Sequence, residues 1–378
     1  METTLEKQLQ LKSGVALYST SNPTLAHIGT SRRFVTLPSR LAKTLFKLLA
    51  EGATMSKIAS LTSIQESELA QQINSLIAGG LIEDESNPIQ LSQRFVSANS
   101  DKAKKASLHI GDAAFEQLRS RVTPELTLTR WIDGVRDNGA SVLNARQRAH
   151  IEISGQSRAA TSLFSLLLAS GVTNTQFGLA YRSDAPLIDD VDIEAGVFRF
   201  CDLGKNLKQR SEELAKEVSL FPKQREESAQ EANEGFQEQT LKIHFGDLDP
   251  QILNYWMSAD QPHLVISQFD GGVSTVGPIV LPGVTPCTRC LQLTLSEQSG
   301  NIELLEVVSE RSNLTHYRYE LPVVASHLLA STVASIVLQL IDSGESSLKG
   351  SVLLIDHLVP SNLGHTPISL HPACGCSW

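Results

Sequence analysis

The stretch Val276-Gly-Pro-Ile-Val-Leu-Pro-Gly283-Val-Thr-Pro-Cys287-Thr-Arg-Cys290, read together with His371-Pro-Ala-Cys374-Gly-Cys376, decides how this chain is organised. An apolar, β-like run over Val276–Leu281 leaves through Pro282-Gly283 and delivers a C-x-x-C pair. Such a turn presents two sulfurs to one ion, and C-x-C does so with a tighter bend. Four thiolates close the shell of a zinc ion and leave no position for water, which makes the site structural and not catalytic. The expectation is a structural Zn2+ clasp of Cys287, Cys290, Cys374 and Cys376 that ties the C-terminal segment to the domain body. Buried free cysteines and a redox pair are the competing readings. The fifth cysteine, Cys201, reads as a buried or half-buried free thiol, and His371 as a neighbour of the metal shell.

Working outward, 378 residues suffice for two or three domains, and 41% apolar with 19% charged residues is an ordinary globular profile. The opening METTLEKQLQLKSG has no apolar core, so no secretory signal is expected, and five cysteines do not make a disulfide framework. A cytoplasmic protein is the reading. The apolar stretch Val323–Ile341 carries Ser326, His327, Ser331, Thr332, Ser335 and Gln339, so it is expected to be a buried helix and not a membrane span. A net charge of −9 opposes a nucleic-acid partner.

Residues 1–13 read as disordered or as a short helix. Residues 14–85 then read as a small winged-helix-like domain. Three β-like runs, Val15–Ser19, Thr24–Ile28 and Arg33–Leu37, are separated by turn chemistry. Three helical patterns follow, the third opened by a capping box of Ser63 and Glu66 and using Leu69, Ile73, Leu76 and Ile77 as one face. Packing or dimerisation is the bland role, and peptide binding by strand addition beside the third helix is the sharper one. DNA binding is disfavoured, because the third helix has no Lys or Arg before Gly79.

Residues 86–106 are polar and read as a linker. Beyond them, strands alternate with helices: Ser107–Gly111, a helix with Phe115, Leu118 and Val122, and Thr127–Trp131; then His150–Gly155, Ala159–Ser170 and Gln176–Tyr181; then Leu241–Phe245, Leu248–Met257 and His263–Ser267. That alternation predicts an α/β fold with an open, mostly parallel sheet. Residues 206–239, rich in Glu, Gln, Lys and Ser, read as a solvated helix or flexible insertion. Asp249 reads as a helix N-cap, with a magnesium site shared with Asp247 as the alternative.

Gly155-Gln-Ser157-Arg158-Ala-Ala160 lies between a strand and a helix, where a nucleotide-binding fold places G-x-G-x-x-G. Only the first glycine remains. The following strand ends Leu179-Ala-Tyr181-Arg182 without the acidic ribose contact, Asp184 arriving late. On these residues ATP binding is disfavoured.

The GP-x-V-x-PG-x-x-x-C-x-x-C stretch with its distant C-G-C resembles the ThiF-like, ubiquitin-activating-enzyme-like proteins of azoline peptide biosynthesis, the thiazole/oxazole-modified microcin class. The resemblance covers 107–378, and 14–85 resembles the PqqD-like recognition element that precedes this fold. It implies a zinc-clasped ThiF/Rossmann-like domain and an N-terminal domain that captures a precursor leader peptide, carried over onto Arg33, Phe34, Val35 and Ile73. It also implies a YcaO-type cyclodehydratase as the partner that uses ATP, and a homodimer by fold analogy. Gly155, Ser157, Arg158 and Lys205, the last within Asp202-Leu-Gly-Lys205, stand where the family's adenylating members hold nucleotide. A non-catalytic adapter is the reading, with no catalytic residue assigned. The alternative is an ATP-dependent adenylyltransferase that activates a carboxylate of a peptide or sulfur-carrier protein.

Overall fold

The computed structural model describes residues 7–62, 64–84, 89, 110–155, 157–178, 187–221, 240–246, 248–267, 271–299, 320–361 and 363–376. The chain divides into two compact units, Met1–Ala145 and Arg146–Trp378.

In the first unit, strands β2 (Ala16–Ser19), β3 (Leu25–Gly29) and β4 (Phe34–Pro38) form an antiparallel meander in that order. Helices α1 (Ser39–Ala50), α2 (Met55–Thr62) and α3 (Glu66–Ala78) follow. Leu45, Leu49, Ile58, Leu69, Ile73 and Leu76 recur at helical spacing and are buried with Ile28 and Leu37 of the sheet in one core. The N-terminal residues differ from expectation. Gln8–Leu11 is a strand, β1, that pairs antiparallel with both β5 (Ala53–Thr54) and β6 (Ile82–Glu83). Its Gln-Leu alternation buries Leu9 and leaves the glutamines out, a period of two that a polar average conceals. Helix α3 starts at Glu66 behind Gln65, whose side chain makes no capping bond, and Ser63 lies outside the described residues.

The strand expected at Thr127–Trp131 is corrected, and of the one expected at Ser107–Gly111 the residues before Ile110 lie outside the described residues. Ile110–Thr129 is one helix, α4. Its β-branched Thr123 and Thr127 are accommodated because each hydroxyl donates back to a carbonyl four residues earlier, Arg119 O at 2.8 Å and Thr123 O at 3.0 Å. Helix α5 (Ala140–Arg148) leads into the second unit.

There a seven-stranded sheet runs β13-β12-β11-β10-β9-β7-β8. Its strands are β7 (His150–Gly155), β8 (Asn174–Phe177), β9 (Leu241–Phe245), β10 (His263–Ile266), β11 (Val273–Val280), β12 (Ser351–Asp356) and β13 (Leu363–Pro367). The pairs β7–β8, β7–β9 and β9–β10 are parallel; β10–β11, β11–β12 and β12–β13 are antiparallel. The sheet is therefore mixed, and the expectation of a mostly parallel one is corrected. The parallel pairs are joined through α6 (Arg158–Ala169), α7 (Leu207–Val218) and α8 (Pro250–Ser258). The segment from β10 to β11 is too short for a crossover, so the chain doubles back.

Helix α10 (Val323–Ser343) packs along α6 and buries Leu329, Ala330, Val333 and Val337 in the core beneath the sheet. It is long and apolar enough to cross a membrane by length and composition. Its polar Ser326 is among its buried residues, and an ion pair between Arg146 and Asp342 at 2.6 Å fixes its C-terminal end. The segment expected as a flexible insertion begins with an ordered part: α7 buries Leu207, Arg210, Ser211 and Leu214, and residues 222–239 lie outside the described residues. Asp249 caps α8 by accepting from Gln251 N at 2.8 Å, as expected, while Asp247 lies outside the described residues.

Candidate functional site

The cysteine quartet is assembled from two ends of the unit. After β11 the turn is pinned by Thr285, whose Oγ1 accepts from Leu281 N at 2.7 Å and donates to Ile279 O at 2.9 Å. That sets Cys287 immediately before α9 (Thr288–Ser299) and Cys290 in its first turn. The C-terminal segment returns after β13. His371 O accepts from Cys374 N, and Gly375 sits at φ +74°, a left-handed backbone that lets the two flanking thiols converge. Sγ–Sγ distances are 3.9 Å for Cys287–Cys290, 3.4 Å for Cys287–Cys374 and 3.4 Å for Cys290–Cys376, with all four within 4.8 Å of one another.

Four thiolates at ~2.3 Å from a tetrahedral ion stand about 3.8 Å apart, whereas a disulfide needs ~2.0 Å. The quartet fits one ion, and its cysteines are free thiols in the fold. Burial pushes Cys376 up to about 11 and Cys374 above the thiol range. Burial opposes ionisation of Cys290 too, but N–H donation from His371 and Cys287 outweighs it and lowers that pKa. Without a cation the cluster resists holding four negative charges, and a divalent ion reverses that preference.

The His371 amide donates to Cys290 Sγ at 3.3 Å, and its ring bridges Glu297 (Nε2–Oε1 3.0 Å) and Ala373 N (to Nδ1, 3.1 Å). Val280, Val352 and Ile368 seal the cluster on the core side. Cys201, by contrast, is exposed on a single 3-10 turn of Phe200–Asp202, which corrects the buried or half-buried thiol expected there.

At the other candidate site, β7 ends in Gly155 at φ +91°, where a Cβ would stand 1.9 Å from Phe245 O of the neighbouring β9. Only glycine fits so close a strand approach, and the chain turns here from β7 to neighbours on both sides, the topological switch point of the sheet. Ser157 caps α6, its hydroxyl accepting from Ala159 N at 3.1 Å. The next amide, Arg158 N–H, donates to Glu320 Oε2 at 3.0 Å. Behind it, Thr161 Oγ1 and Ser162 Oγ donate to Glu194 Oε1 at 2.9 and 2.8 Å. Glu194 is buried, and that burial raises its pKa to about 7 against those hydroxyl bonds and the Arg158 charge. His327 Nε2 lies 4.0 Å from Glu194 Oε2. Lys205 is engaged by Asp202 (2.8 Å), which also takes Arg210 Nε at 3.1 Å.

Sequence reasoning singled out Gly155, Ser157 and Arg158 at this turn but not Glu194 or Glu320. Glu320 is 162 residues from the amide it meets, and nothing in its surroundings marks it.

In the first unit, β4 is an edge strand, paired among the described strands with β3 alone. Phe34 is half exposed, its ring centroid 4.4 Å from that of His27 with the two planes tilted by 38°. Val35 packs its Cγ2 toward Gly79. Arg33 pairs with Asp133 at 2.8 Å. Ile73 lies in the core at 3% exposure, so it is Ile77 that faces the open side of α3. A cleft of about 440 Å3 opens there, lined by Arg33, Ile77, Gly79, Gly80, Ile132 and Arg136 among others.

No protein-family model matches the chain, and no curated protein sequence does. Solved structures do. E. coli MccB with MccA and AMPCPP superposes with a TM-score of 0.64 at 12% identity over 98% of this chain and 99% of that one. The microcin C7 biosynthetic enzyme MccB in complex with N-formylated MccA gives 0.61 at 12% over 98% and 100%. The heterocyclase TruD gives 0.54 at 12%, covering 98% of this chain but 43% of its own. At this identity the likeness establishes the fold, shared with the MccB chains over 98% of this chain.

Proposed function

We propose that this chain is a zinc-stabilised, non-catalytic adapter that binds the leader segment of a precursor peptide and presents it to a YcaO-type cyclodehydratase, within the cytoplasm and as a homodimer. The observation that carries the reading is the open edge of β4 beside the cleft at the end of α3. An extended peptide laid along Phe34–Pro38 would extend the β2-β3-β4 sheet by main-chain hydrogen bonds and reach Ile77 and Gly79 with its side chains. Residues 14–85 act here as a winged-helix-like, PqqD-like module, with Arg33, Phe34 and Val35 nearest the peptide. MccB is described with the peptide MccA bound, which supports a peptide ligand. The metal is zinc, held by Cys287, Cys290, Cys374 and Cys376, because four thiolates with no open position suit that ion and a structural role.

The second reading, an ATP-dependent adenylyltransferase, is favoured by a fold shared with MccB, which has been solved with ATP. ATP–pyrophosphate exchange by the full chain with its precursor peptide separates the two. The adapter reading expects none above background, and exchange at the rate of an active adenylating enzyme overturns it.

A further inference from the structure

The first turn of α6 has an occupant supplied by the chain itself. In nucleotide-binding folds the amides at this helix N-terminus receive a phosphate, whose charge the helix dipole favours. Here Arg158 N–H is bonded at 3.0 Å to the Glu320 carboxylate, three residues before α10 begins at Val323. A carboxylate presents the charge and lone pairs that a phosphate oxygen would. A second acid stands nearby: Glu194 is 6% exposed, accepts from the Thr161 and Ser162 hydroxyls through Oε1, and its buried Oε2 has no hydrogen-bond partner. Burial chiefly raises the Glu194 pKa to about 7; the Glu320 charge adds to that rise, while the Ser162 and Thr161 hydroxyls and Arg158 work in the opposite direction. The Arg158 guanidinium Nε is buried as well and makes no hydrogen bond.

We propose that Glu320 is a built-in stand-in for a phosphate group: it occupies the anion position at the first amide of α6 and so keeps phosphate-bearing ligands off that helix N-terminus. On this proposal a single side chain, and not only the missing glycines, holds the position closed to nucleotide. This inference does not depend on peptide binding at β4, which uses the other unit.

The test is isothermal titration of the full chain with ATP, pyrophosphate and inorganic phosphate, comparing wild type, Glu320→Ala and Glu320→Gln, with thermal melting to verify folding. Wild type should show no saturable binding. Glu320→Ala, which vacates the position, should bind ATP or pyrophosphate at least about tenfold more tightly than wild type. Glu320→Gln keeps the shape and drops the charge, and should show a smaller gain in the same direction. Wild type binding as tightly as Glu320→Ala, or a folded Glu320→Ala with no gain, overturns the proposal. If Glu320→Ala does not fold, Glu320→Gln decides: no gain there overturns it equally.

Discussion

Replacing Cys290 by serine removes one of four convergent sulfurs and leaves a hydroxyl that is a poor partner for zinc. Cys290 is fully buried, lies 3.4 Å from Cys376 and receives the His371 amide, so the substitution acts on both sides of the clasp. Zinc binding contributes roughly 10–16 kcal/mol to folding in small finger peptides, which have no other core. This unit has one, the sheet packed against α6 and α10, and the cysteines form a separate small cluster with Val280, Val352 and Ile368. The loss is therefore bounded by what docks the C-terminal segment: the metal, the Ile368 N to Gly350 O bond at 2.9 Å and the His371–Glu297 contact. We expect ~3–5 kcal/mol, a drop of about 10 °C in Tm at the ~2–4 °C per kcal/mol of a domain this size. Elemental analysis should find about one zinc per wild-type chain and much less in Cys290→Ser. Hydrogen exchange should show 368–376 opening while β7 and β9 stay protected. Metal-free wild type with a silent substitution would refute the clasp.

Three further outcomes are expected. Phe34→Ala should leave Tm within ~2 °C, because the side chain is half exposed, yet weaken leader-peptide binding by about tenfold in fluorescence anisotropy. Asp342→Ala strands the buried Arg146 charge and should cost ~3–5 kcal/mol in urea unfolding. Glu194 has a folded pKa of about 7 against an ordinary value of 4.5, so the native state holds an extra proton between those values. Its contribution to stability consequently falls as pH rises from 4.5 through 7, by ~3 kcal/mol in all. Glu194→Gln should remove that slope from the denaturation midpoint against pH.

Much of this was legible in the sequence, for identifiable reasons. Strongly periodic elements such as α3, α6 and α10, and the β-runs before Gly155 and Cys287, carry their burial pattern locally. The cysteine quartet was legible because two short pairs have little other use together. What escaped depends on distant partners. Strand β1 exists because β5 and β6 flank it, not because Gln-Leu-Gln-Leu demands it. Helix α4 overrides the β propensity of its threonines by bonding their hydroxyls inward. Direction in the sheet turned on one short connection. Ile73, placed beside the peptide by the family resemblance, belongs to the core that also holds Leu37 and Leu45. Glu320 meets Arg158 only through the whole fold.

The measurement that bears most directly on the adapter reading is hydrogen exchange of the full chain with and without the precursor peptide encoded beside its gene. Strand addition predicts slowed exchange at the amides of Phe34–Pro38 and at the C-terminal end of α3, with the Gly155–Arg158 turn unchanged. Peptide binding that protects the Gly155–Arg158 turn and leaves β4 exchanging freely would contradict it.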